Sequence, residues 1–117
     1  MNFDEAKTYE VIEMMLNHIP FEGWSLDSLK MAATDCGLSE ADIYTLFPSG
    51  IYDAIAAYGA YADQNMITAF HGQDAADIAV MPVHMKIRSL ILIRLEQAAP
   101  YKEVVRQTLA VLARPQH

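Results

Sequence analysis

Apolar positions along the chain recur with the period of an α-helix and never with the period of a strand. Tyr9, Ile12, Leu16 and Ile19 fall three and four residues apart, with acidic residues between them, and predict a first helix over Phe3–Ile19 that ends at Pro20. A Glu22-Gly23-Trp24 turn follows. Ser25 is placed to cap a second helix over Leu26–Thr34, with Asp27 in its first turn where a carboxylate suits the helix dipole. Gly37 supplies a turn, and Ser39-Glu40-Ala41-Asp42 has the form of a capping box opening a short third helix that points Ile43, Leu46 and Phe47 inward.

Pro48-Ser49-Gly50 breaks that helix and starts a long fourth over Ile51–His71, with Ile51, Ile55, Tyr58, Ala62 and Met66 on one stripe. Gly72 ends it. A shorter helix over Asp74–Val80, one over His84–Ala99 and a last over Tyr101–Ala113 complete the pattern, the final two divided by Pro100. The expected class is therefore all-α: a three-helix head over residues 1–49 and a helical body over 50–117, forming one unit. The last two helices are apolar beyond a single stripe, through Met85, Ile87, Leu90, Ile91, Leu92, Ile93 and Leu95 on one and Val104, Val105, Leu109, Val111 and Leu112 on the other. Such helices need cover on two sides. Burial at the centre of the protein, a ligand cavity or a subunit interface would each provide it.

Composition removes several classes of function. Hydrophobic residues make up 53% of the 117 and charged residues 20%, which excludes disorder. Cys36 is the only cysteine, so no disulfide framework or thiolate metal cluster can form, and a reducing compartment is expected. The acidic start, MNFDEAKTYE, has neither the secretory nor the transit-peptide layout, and the longest apolar run, Leu90–Ile93, falls far short of the roughly 20 residues of a membrane span. A cytoplasmic protein, at most peripheral to a membrane, is the expectation.

The chemistry of catalysis is missing from the pattern. His18, His71, His84 and His117 share no metal-ligand spacing, and no glycine-rich phosphate loop or nucleophile elbow occurs. His18 reads as a surface or capping residue and Cys36 as a small buried one. Trp24, Tyr44, Tyr52, Tyr58 and Tyr61 read as packing between head and fourth helix, and methionines 14, 15, 31, 66 and 85 as core filler or as soft surface for flexible hydrocarbon. No enzyme, metal or cofactor is expected, which leaves binding.

Charge is divided sharply. Residues 1–80 hold thirteen acids against Lys7 and Lys30, a net of -11, whereas residues 81–117 hold six bases against two acids, a net of +4. The cations Lys86, Arg88, Arg94, Lys102, Arg106 and Arg114 lie along two otherwise apolar helices, as a solvated face or as a complement to an acidic surface.

Three short helices before a long one, with Gly37, Ser39, Tyr44 and Phe47-Pro48-Ser49 at their places, resemble the DNA-binding domain of TetR-type regulators over about residues 11–55. The resemblance implies a helix-turn-helix whose third helix enters the major groove, with Ser39, Glu40 and Tyr44 as candidate DNA contacts. Acids stand at 40 and 42, Gly50 stands where a phosphate-binding lysine belongs, and no arginine precedes Arg88. Attraction to duplex DNA comes chiefly from cations at phosphates, so a surface at about -11 over residues 1–80 is expected to repel it, and the acidic head to suit a basic protein partner better.

The segments G-W-S-L-D-S-L, G-L-S and F-P-S-G, followed by I-R-x-x-x-x-x-R-L-E-x-x-x-P-Y, also resemble the N-terminal part of the Coq-nine family of ubiquinone-biosynthesis proteins over about residues 11–117. That resemblance implies a TetR-like fold without DNA binding, an apolar cavity for an isoprenoid lipid or quinone intermediate, and a demethoxyubiquinone hydroxylase as partner. Leu90, Ile93, Val105 and Leu109 are the candidate lipid contacts. Members continue past a position like His117 with helices that complete the cavity and the dimer, so a truncated body with exposed apolar faces, and association as a homodimer, are expected of this chain.

Overall fold

A computed structural model describes residues 3–114, with side chains from residue 4; the expected loop at Arg114-Pro115-Gln116-His117 lies, from Pro115 on, outside the described residues. Its elements are α1 (Phe3–Glu22), α2 (Leu26–Asp35), α3 (Glu40–Leu46), α4 (Ile51–His71), α5 (Ala75–Val80), α6 (Val83–Ala98), a 3₁₀ turn (Ala99–Tyr101) and α7 (Lys102–Leu112). No strand occurs among the described residues. The protein is all-helical.

The caps explain why the head folds where it does. Ser25 accepts from the Ser28 amide at 3.1 Å and Ser39 from the Asp42 amide at 3.3 Å, while Ser28 Oγ and Asp42 Oδ2 accept in return from the two cap amides. Both boxes satisfy helix-end donors that would otherwise lack partners. Pro20, expected to stop α1, instead lies inside its last turn. Only one intrahelical bond is forfeited so close to the end, and the actual stop is Gly23, whose positive φ of 69° turns the chain while its amide bonds to Ile19 O at 2.8 Å.

Val11, Ile12, Met15, Leu16 and Ile19 from α1, Leu29, Ala32 and Ala33 from α2, Ile43 and Phe47 around α3, and Ala54 and Ile55 from α4 form one buried cluster. Two further members, Val104 and Val111, come from α7. They dock α7 on α1, and the Trp24 indole secures that attachment by donating to Thr108 Oγ1 at 2.9 Å. Tyr58 packs on the Trp24 ring at 5.7 Å. Tyr44 and Tyr52, expected in the same layer, are instead 57% and 54% exposed. Their helices turn their Ile43 and Ala54–Ile55 faces inward, which directs these rings to solvent.

Helix α6 departs furthest from a buried central position. None of its residues is buried. It lies along α4, held by bonds from Gln73 Nε2 to Ser89 Oγ at 2.9 Å, from Arg94 Nη1 to Asp63 Oδ1 at 2.5 Å and from Gln97 Nε2 to Asn65 O at 3.1 Å. Ile87, Ile91, Leu92 and Leu95 remain exposed. The radius of gyration is 16.1 Å, above the roughly 13 Å of a compact chain of about 100 residues, and the longest extent is 49 Å.

Phe47 is 1% exposed at the centre of the head whereas Phe21 is 87% exposed. Phe47→Ala is expected to cost about 3–5 kcal/mol of unfolding free energy and Phe21→Ala less than about 0.5 kcal/mol, as read by urea denaturation.

Candidate functional site

Two adjacent stripes on α7 have different destinations. Val104 and Val111 face α1, and Thr108 between them meets Trp24 at the edge of the hollow described next. Val105, Leu109 and Leu112, the next stripe round the helix at the same spacing, face a hollow between α4, α6 and α7. The hollow exists because α7 packs on α1 and not alongside α6. Its volume is about 430 Å³, within the range of small-molecule pockets. Leu16 and Ile55 also line it, as do Gly59, which has no side chain, and Ala62, which has a single methyl, both on α4.

A second hollow of about 320 Å³ lies against Met66, Ile87, Leu90, Ile91, Arg94 and Leu95. Arg94 and Leu95 line both, so the two are neighbours along α6. Of the residues expected to contact lipid, Val105 and Leu109 line the larger hollow and Leu90 the smaller, while Ile93, half-buried, lines neither. Periodicity on α6 did not separate Ile93 from its neighbours because apolar residues occupy four consecutive positions, 90–93.

Sequence reasoning missed the polar members. Tyr58, Tyr61, Asn65, Arg94, Gln97, Tyr101 and Thr108 line the larger hollow among the apolar residues. The Tyr61 hydroxyl donates to Glu13 Oε1 at 3.1 Å. Gln97 Oε1 is buried and accepts from no donor among the described residues. The signal that could have found Arg94 and Tyr101 was their place in the R-L-E and P-Y segments, which carried the family resemblance without a role.

Burial is the first cause that pushes the Tyr58 and Tyr61 phenols above the ordinary tyrosine range; Arg94 partly offsets it at Tyr58, and Glu13 adds to it at Tyr61. Burial likewise raises the Cys36 thiol, with Glu10 adding to it, which disfavours the reactive thiolate at this half-buried residue. No group of three or more metal-ligating side chains occurs among the described residues, and none of their helices is long and apolar enough to cross a membrane.

The face of α3 has a different chemistry. Glu40 and Tyr44 are exposed with Asp42, whose carboxylate is held below its usual range by hydrogen bonds from the Ser39 backbone and side chain. Lys30, one of the two cations before residue 81, is spent on Glu40 at 3.3 Å. Gly50 has φ 66° and ψ -130°, a backbone conformation that strains any residue with a side chain. A phosphate-binding lysine is therefore excluded there by backbone shape as well as by sequence.

No protein-family profile matches the chain, and no solved structure matches it. One curated protein does. The chain is similar to a ubiquinone-biosynthesis protein. That relative is the Drosophila melanogaster "Ubiquinone biosynthesis protein COQ9, mitochondrial", 24% identical over 122 aligned residues that cover 97% of this chain and 35% of the relative. The chain thus spans about a third of the length of the protein it matches.

The raised tyrosines set a pH dependence. The folded state holds each phenolic proton more tightly than the unfolded chain does, so their contribution is intact below about pH 10 and is lost as pH climbs through the higher folded-state values. The urea midpoint is expected to fall more steeply above pH 10 in the native protein than in a Tyr58→Phe/Tyr61→Phe variant.

Proposed function

We propose that this chain is a non-catalytic lipid-binding protein of ubiquinone biosynthesis that shelters the polyprenyl tail of a quinone intermediate in the α4–α6–α7 groove and leaves its head group to a partner hydroxylase. The observation that carries the reading is an apolar groove, open to solvent and bounded by Leu95 and Leu109, 61% and 62% exposed, in a chain similar to COQ9. Enclosing hydrocarbon is worth about 0.8 kcal/mol for each CH₂ buried, so a few isoprene units outweigh the cost of ordering the tail. The apolar surface that remains on α6 outside the groove is where a second copy of the chain would pack.

The head is a TetR-like helix-turn-helix that has lost its affinity for DNA. Support comes from the paired lysine, the acidic face of α3 and the glycine backbone at position 50. In a fluorescence-anisotropy titration at low salt, random duplex is expected to leave the signal unchanged, and salt-sensitive binding would favour a regulator instead.

Lipid is read directly by mass spectrometry of organic extracts from protein purified without detergent. A prenylated quinone or its phenolic precursor is expected in the native extract. Leu109→Gln, which removes roughly 1.5–3 kcal/mol of tail burial, is expected to lower its occupancy about tenfold or more while the circular dichroism spectrum is retained. An extract free of lipid would end this reading.

A further inference from the structure

Along the outer side of α6, Met85, Arg88, Leu92 and Leu95 stand three, four and three residues apart, the spacing at which one helix presents a seam to another. They lie across the helix from Arg94 and Gln97, whose side chains reach α4. All four are exposed, Leu92 by 46% and Leu95 by 61%. Glu96, one turn beyond Leu92, is exposed as well. Neither Arg88 nor Glu96 has an ion-pair partner among the described residues. Their own helix offers none: the positions three and four away are His84, Met85, Ile91 and Leu92 for the arginine, and Leu92, Ile93, Ala99 and Pro100 for the glutamate.

The order of these charges is its own complement. Arg88 precedes Leu92 by four residues and Glu96 follows it by four. When two such helices lie antiparallel about a two-fold axis at Leu92, each residue before the axis meets the residue equally far beyond it in the other copy. Each arginine then faces a glutamate, twice per pair, and Leu92 lies on Leu92 with Leu95 and Met85 beside it. A parallel pair would set arginine against arginine and glutamate against glutamate, which is repulsive. A bilayer surface rewards one sign of charge, so it gains nothing from a row whose arginine and glutamate cancel. An unrelated helix would have to match both charges at a fixed separation. A second copy of this chain matches them by symmetry.

We propose that α6 is a self-recognition helix: two copies of the chain pair antiparallel over residues 85–96, on a two-fold axis at Leu92, with the Arg88 of each opposite the Glu96 of the other. Such a pair gives orientation and register to the second-copy face of the preceding reading, and it stands whether or not the groove holds lipid.

Sedimentation equilibrium of the full chain tests it, at neutral pH and low salt, without lipid or detergent, from the micromolar range upward. The native chain is expected to show a monomer–dimer equilibrium with no larger species, because a two-fold contact closes on itself. Arg88→Glu and Glu96→Arg each set like charges across the axis and are expected to weaken the dimer about tenfold or more. The double variant Arg88→Glu/Glu96→Arg exchanges the signs and is expected to return to within about threefold of the native affinity. Mixing the two single variants is expected to restore pairing too, since one then carries only acids in the row and the other only bases. These side chains are exposed, so the circular dichroism spectrum is expected to stay native in every variant. A native chain that remains monomeric throughout, single variants that dimerise as well as the native chain, or a double variant as weak as the singles would each overturn the inference. None of these outcomes bears on the groove, whose own test is the lipid extract.

Discussion

The docking of α7 on α1 is the contact on which the rest of the structure depends. Val104 and Val111 enter the core of the head, and Thr108 receives the Trp24 indole, so the last helix is anchored to α1 and the Trp24 turn. With α7 held there, α6 packs chiefly on α4. Its apolar surface then has no helix to pack against on its second side, and the groove is the space left between them. Had α7 lain along α6, Leu95, Leu109 and Leu112 would have buried one another and the chain would have closed.

That geometry also explains the polar rim. A helix attached along one edge gains little from the hydrophobic effect, and α6 compensates with three polar ties to α4 and its following turn, through Ser89, Arg94 and Gln97. Two of the three residues, Arg94 and Gln97, face the groove as well. The same groups therefore hold the wall in place and set the chemistry at its mouth. The head follows the opposite logic: two capping boxes fix its helix starts and Phe47 is buried at its centre, while its acids stay at the surface.

Much of the head was legible in the sequence because its signals are local. Ser25 and Ser39 announce helix starts through bonds to residues three positions on, and Ile43 and Phe47 fall on the inward side of a helix too short to be misphased. Pro20 misled by three residues, since a proline in a final turn forfeits one bond and the stop belongs to Gly23. The body was less legible. Its broad apolar surface was visible, but which stripe docks and which stays open depends on a contact between Trp24 and Thr108, 84 residues apart, that no periodicity encodes. The same holds for Arg94, whose partner Asp63 lies on another helix.

The central claim is that an isoprenoid tail occupies the space between α4, α6 and α7. Intermolecular nuclear Overhauser effects from a farnesylated benzoquinone to the methyl groups of the chain test it most directly. The account predicts contacts from the tail to Leu95, Val105, Leu109 and Leu112, and none to Ile12 or Leu29 in the head. Contacts confined to the head, or none at a saturating concentration of the probe, would contradict it.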